Sequence, residues 1–198
     1  YGYIGEEMFK KYILIMLFPV AVWASEDEYV IDKSHFSVGF LVEHVGYAKT
    51  LGMFKDIDGS YIHDVTNKKI NDIKIVIKTS SVFTNDEKRD EHLMSPDFLY
   101  VEKYPEMVFE ATDIKIDDNE SIINGNLTLL GITKPLILTG KINKIGKYPF
   151  GGIIKPYVMG ISARGTIKRS DHAMMYAIKD NLVGDEIDLI IEFEARRQ

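Results

Sequence analysis

The chain of 198 residues contains no cysteine. That excludes a disulfide framework, a thiol nucleophile and a cysteine-ligated metal site in any compartment. Stability has to come from packing. Positive charge is scarce as well: 24 Lys and Arg stand against 30 Asp and Glu, for a net charge of −6. The terminal pair Arg196-Arg197 is too short to form a basic patch, so neither nucleic acid nor an anionic lipid surface is an expected partner. The five histidines, His35, His44, His63, His92 and His172, include no short ligand spacing such as H-x-x-x-H, and no metal or resident cofactor is expected. A nucleophile elbow, a triad order and a phosphate loop are all missing, which weighs against an enzyme.

With 45% hydrophobic and 11% aromatic residues there is enough apolar material for one domain with a real core. The basic start Met8-Phe9-Lys10-Lys11, the apolar run Tyr12 to Trp23 and the small-x-small site Val22-Trp23-Ala24 read as a secretory signal peptide over 8–24. The run falls short of the about 20 residues a membrane helix needs, so no stable span is expected after cleavage. Residues 1–7 are an upstream extension without a fold assignment, and 25–198 form the single mature domain. Loss of residues 1–24 removes two lysines and two glutamates, leaving the net charge at −6. The expected location is periplasmic or secreted.

From Tyr29 the pattern has period two: Phe36, Val38, Phe40, Val42 and His44 share one face of a long strand. A second strand is predicted over 50–61, with Gly52 marking a bend or bulge and Asp58-Gly59 a turn or kink. A third carries Ile73, Ile75 and Ile77. Beyond a helical excursion come strands over 108–116 and 122–130, then a turn over Gly131 to Pro135. A strand from Leu136, a loop over 144–155, a strand over 158–168, an irregular segment to Asp185 and a final alternation Ile187, Leu189, Ile191, Phe193 complete the chain. About eight strands at hairpin spacing, without crossover helices, predict an antiparallel meander closed into a barrel.

The excursion around 86–100 interrupts this alternation. Asn85 is predicted to cap a short polar helix whose one apolar tooth is Leu93, with His92 beside it. Ser95-Pro96 restarts the chain in a second, greasier turn carrying Phe98. Such a helix suits a lid better than a wall.

Several ordered motifs carry a family resemblance. They are Tyr29-x-Ile31-Asp32-x-x-His35-x-x-Val38-x-Phe40-x-Val42-x-His44, then Gly52-x-Phe54, then Arg89-Asp90-x-His92-Leu93-x-Ser95-x-Asp97-Phe98 with Tyr104-Pro105 and Phe109. Gly125-x-Leu127-Thr128-Leu129-x-Gly131-x-Thr133-Lys134-Pro135, Arg169-Ser170-Asp171 and Val183-Gly184-Asp185 follow. From Tyr29 to Ala195 the chain resembles the YceI family of periplasmic, lipocalin-like isoprenoid-binding proteins. The resemblance implies an eight-stranded antiparallel barrel that holds the tail of a polyisoprenoid or similar amphiphile, commonly as a homodimer. One departure stands out: after Asp171 the family usually continues Phe-Gly, where this chain has His172-Ala173.

The expected ligand-binding set is Phe36, Phe40, Val42, Phe54, Phe109, Leu127 and Leu129 from the strands and Leu93 and Phe98 from the lid. His44, Arg89, His92 and His172 are placed near an opening, with Arg89 expected to read charged headgroups. The ligand would be a polyisoprenoid, an isoprenoid quinone, a fatty acid or a fatty amide. Two other readings stay open. One is an enzyme on a lipid-like substrate, with His44 or His92 as base beside Asp90 or Asp32. The other is a solid-core interaction module docking through an acidic face of Asp188, Glu192 and Glu194.

Overall fold

The computed structural model describes residues 26–112, 114–117 and 119–198. The leader-like segment and its cleavage site lie outside the described residues. Among those described, no helix is long and apolar enough to cross a membrane.

Apolar side chains at every second position can be buried only if the strands curl round a common interior, and they do. Strand β1 (Glu26–His44) pairs with the last strand, β11 (Val183–Arg197), from Tyr29↔Arg197 to His44↔Val183. On its other edge lie β2 (Ala48–Phe54) and β3 (Ile57–Asp64). The wall continues antiparallel through β4 (Lys69–Lys78), β6 (Glu106–Ala111), β8 (Ser121–Leu129), β9 (Ile132–Lys147) and β10 (Tyr157–Lys168) back to β11. Counting β2 and β3 as one broken stave, the barrel is closed by eight staves. The short pieces β5 (Val82–Phe83) and β7 (Ile114–Lys115) attach to β2 and β4.

The single strand expected over 50–61 is broken at Lys55-Asp56. Both amides donate to Ser81 Oγ, at 3.2 and 3.1 Å, which takes them out of the ladder. Gly52 and Gly59 are not bends. Gly52 faces Phe40 across the ladder, and a Cβ there would stand 2.1 Å from the Phe40 ring; Gly125 leaves the same room for Phe109, at 2.4 Å. Ala at either glycine is therefore expected to push a ring into the barrel at a cost of about 1–3 kcal/mol, read as a lowered melting temperature.

Other boundaries move for equally local reasons. The turn expected over 131–135 is only Leu130-Gly131, both at positive φ, a tight two-residue hairpin. Pro135 sits inside β9, opposite Asn126 and beyond the last β10 pair at Thr139, where no second neighbour asks for its missing N–H. β9 continues to Lys147 through residues expected to be loop, because β10 pairs them as far as Tyr157↔Lys147. The strand expected over 108–116 ends at Ala111, with β7 separate.

Helix α1 (Glu87–Met94) begins one residue later than Asn85 suggested: Asp86 is the cap and accepts from the Arg89 amide at 2.9 Å, while Asn85 lies at φ 63°. The Ser95-Pro96 segment makes hydrogen-bonded turns rather than helix, with the Leu99 and Val101 amides returning to Leu93 and Met94 carbonyls. These turns seat Phe98 and Leu99 in the core beneath α1.

Candidate functional site

The barrel interior is not filled. A cavity of about 510 Å³ runs from a deep end at Tyr61, Ile70, Ile114 and Ser121 to a mouth at Val42 to Val45, Arg89, His92, Tyr176 and Leu182. Its middle is wholly apolar, with Val38, Ile77, Leu127, Leu138, Ala163 and Ile191 among the wall residues. At the deep end Tyr61 stacks on Tyr29, ring centres 5.4 Å apart, and donates its hydroxyl to Met159 Sδ at 3.2 Å. Burial, reinforced by Tyr29, pushes the Tyr61 pKa well up, so this end stays neutral.

Of the expected residues, Phe40, Val42, His44, Phe54, Arg89, His92, Leu93, Phe98, Phe109, Leu127 and Leu129 line this cavity. Phe36 and His172 do not. Between Ile31 and Phe36 the pairing of β1 with β11 slips, because Asp32 accepts from the amide and hydroxyl of Ser34 in a local turn. The inward set is Tyr29 and Ile31 before that turn and Phe36, Val38, Phe40 and Val42 after it; Phe36 packs against the core but its exposed part lines a separate outer groove with Tyr148 and Phe193 rather than the lumen. His172 is 2% exposed and donates from Nδ1 to the Ile132 carbonyl at 3.1 Å, tying the 3-10 turn Ser170–His172 to the β8–β9 hairpin. Its ring is a structural tie rather than a mouth group. The neighbouring Ala173 holds φ 59°, a conformation glycine takes freely. Ala173→Gly is expected to stabilise the protein by about 1 kcal/mol, visible as a higher melting temperature.

The mouth is covered by rings. His92 makes edge contacts with Phe98 and Tyr176 at 5.0 and 4.9 Å, and Phe98 meets Tyr176 at 5.1 Å. His92 Nε2 lies 2.9 Å from the Asp97 carboxylate, an exposed pair on the lid. The Arg89 guanidinium turns back on Thr84, with Nε donating to its hydroxyl at 2.7 Å and Nη2 to its carbonyl at 2.6 Å. It does not pair with Asp86.

Asp90 accepts from the amide and hydroxyl of the same Thr84, and Asp32 holds Ser34, His35 and Arg196. Neither carboxylate therefore stands beside His44 or His92 as the base reading requires. The acidic outer face is also occupied: Asp188 pairs with Lys49, and Glu192 with Arg164 and Ser162. Glu194, with Asp32 and His35, makes the one candidate cluster for a cation among the described residues. Arg196 already donates to Asp32 Oδ2 at 2.8 Å through Nε and lies 2.6 Å away through Nη2, so a guanidinium sits where a metal would. Burial pulls Asp32 upward, but the hydrogen bonds from Ser34, His35 and Arg196 outweigh it and hold the carboxyl far below its usual range.

Among the wall residues that sequence reasoning did not single out, one is a buried charge. Arg169, at the end of β10, is 1% exposed and lies over the Phe98 face at 5.7 Å. The motif Arg169-Ser170-Asp171 was visible, but nothing in its spacing says that the guanidinium points inward.

A family model for the YceI-like domain matches residues 29–195. The chain belongs to the YceI family. The curated relatives agree: protein YceI of Escherichia coli O157:H7 is 41% identical over 175 residues, 86% of this chain and 87% of that one. The UPF0312 protein plu2095 of Photorhabdus laumondii is 39% identical over 170 residues, covering 85% and 84%. Among solved structures, the YceI protein of Campylobacter jejuni superposes with a TM-score of 0.67 at 31% identity, over 79% of this chain and 90% of that one. A polyisoprenoid binding domain from Saccharophagus degradans, implicated in plant cell wall breakdown, shares the YceI barrel at a TM-score of 0.64 and 12% identity, covering 86% and 98%.

Proposed function

We propose that this YceI protein is a carrier that sequesters the tail of a long-chain apolar or amphiphilic molecule in its lumen. The observation that carries the reading is the apolar cavity itself, open towards the lid and plugged by Tyr61. At about 30 Å³ per small group, the share a water molecule takes in the liquid, 510 Å³ takes roughly seventeen carbons, so a fatty chain or a short prenyl chain suits it. Burying that many methylenes is worth on the order of 13 kcal/mol gross, much of it offset by ordering the chain and losing translational freedom. The polyisoprenoid-binding relative with the same fold supports the reading.

Apart from Tyr61, Ser121 and Lys141, the polar and charged lining groups, Glu43, His44, Thr50, Arg89, His92 and Arg169, gather at the lid end, so the tail enters first and the headgroup stays under the rings of His92, Phe98 and Tyr176. The enzyme reading needed Asp90 or Asp32 beside His44 or His92, and both carboxylates are held elsewhere; the solid-core reading required an interior without a lumen. Homodimer formation and a periplasmic or secreted location belong to the same proposal, supported by the family and by the leader-like residues 8–24.

Native mass spectrometry of protein purified without detergent tests the carrier. A co-purified amphiphile, or saturable uptake of palmitic acid or farnesol after delipidation, is expected. An empty protein that takes up no long-chain molecule contradicts it.

A further inference from the structure

Arg169 is the one charged residue of the cavity lining that is fully buried among the described residues, under the lid and out of water. Its Nε donates to the Gly184 carbonyl at 2.8 Å, Nη1 and Nη2 both to the Tyr176 carbonyl at 3.2 Å, and Nη2 to the Val183 carbonyl at 2.9 Å. A guanidinium has five N–H donors, so one on Nη1 has no protein acceptor among the described residues. No carboxylate pairs with it either: the nearby Asp185 is held by the Ser170 amide at 2.8 Å and hydroxyl at 2.7 Å. Burial draws the Arg169 pKa down, with only the charge of Asp185 opposing. A buried, hydrogen-bonded cation whose nearest carboxylate is bonded elsewhere is costly, and an anion arriving beside it lowers that cost.

Resting on the carrier reading, we propose that Arg169 selects the headgroup: the lumen takes long-chain amphiphiles whose head is an anionic oxygen group, a carboxylate or a phosphate, set against this guanidinium beneath Phe98 and Tyr176. Arg89 cannot serve in the same way, because its guanidinium is exposed and committed to Thr84. Arg169 works in a water-poor site where a charge-assisted hydrogen bond keeps its strength.

Delipidated protein is titrated with palmitic acid, cetyl alcohol and cetylamine, which share one tail, and with farnesyl monophosphate against farnesol. The acid and the phosphate are expected to bind about tenfold more tightly than their alcohols, and the amine most weakly, as hydrogen bonds to a charged partner predict. In Arg169→Met the tail contribution persists and the acid-to-alcohol ratio falls to about one; a purely structural Arg169 would lower all affinities together and leave that ratio unchanged. Preference for only the carboxylate or only the phosphate names the source of the anion. A second readout needs no variant: the carboxyl of bound, isotope-labelled palmitic acid titrates below its free value if it faces the guanidinium, and above it if it is buried away from a cation. Equal binding of acid and alcohol, or an upward shift, overturns the proposal while leaving the carrier intact. No uptake of any tail overturns both.

Discussion

Ala163→Trp is expected to abolish useful uptake of a long-chain amphiphile while leaving the barrel folded. Ala163 lies mid-way along β10, opposite Ile191 and Gly140, and lines the narrowest chemistry of the lumen, where nothing polar interrupts the wall. An indole there occupies the middle of a 510 Å³ space, so a tail can reach only the lid-side half. Losing half of the buried methylenes at about 0.8 kcal/mol each weakens binding by well over a hundredfold, beyond about 2.7 kcal/mol. Overpacking ordinarily costs about 1–3 kcal/mol, and an existing void places the cost at the lower end. Titration with palmitic acid, alongside a thermal melt, checks both halves. Unchanged affinity in a folded variant places the ligand outside the lumen.

The second large effect concerns stability. Arg169→Met removes the donors of three backbone carbonyls, those of Tyr176, Val183 and Gly184, which together fasten the 173–184 segment over the mouth. Each acceptor left dry costs about 1–3 kcal/mol, and some relax towards water, so the net loss is about 3 kcal/mol. For a domain of this size that lowers the melting temperature by roughly 6–12 °C. A methionine fills the same space and keeps the contact with Phe98, so the drop reports the polar role. A melt within a degree of the wild type, with amide protection of 173–184 unchanged, contradicts it.

How far the architecture could be read in advance follows from which forces are local. Alternation of Ile, Val, Leu and Phe is local, and it was enough for eight staves and closure. The short polar helix with Leu93 as its apolar tooth was visible for the same reason. What escaped was set by partners distant in sequence. Ser81 breaks the stave at Lys55-Asp56 from 26 residues away. Pro135 is tolerated in β9 only because β10 stops pairing at Thr139. The cap fell on Asp86 rather than Asn85 because Asn85 adopts positive φ in the approach to the helix.

The site divides in the same way. The apolar set could be read because the barrel forces every second residue inward; the Asp32–Ser34 turn shifts the phase of β1 between Ile31 and Phe36, and Phe36, in phase with Val38 and Phe40, packs against the core beyond the reach of the lumen. Arg169 is invisible to periodicity, since an arginine at a strand end is ordinarily solvated; only carbonyls delivered by Tyr176, Val183 and Gly184 make its burial bearable. His172 likewise looked like a mouth residue until the Ile132 carbonyl gave its Nδ1 a buried partner.

The most direct test of a hollow, tail-first lumen is the anomalous scattering of bromine in crystals grown with terminally brominated palmitic acid. A tail that enters first puts the bromine at the deep end, beside Tyr61, Ile70 and Ile114, with the carboxyl under the lid. Bromine at the mouth reverses the orientation, and bromine found only on the outer surface, with the interior unoccupied, contradicts the lumen as the binding site.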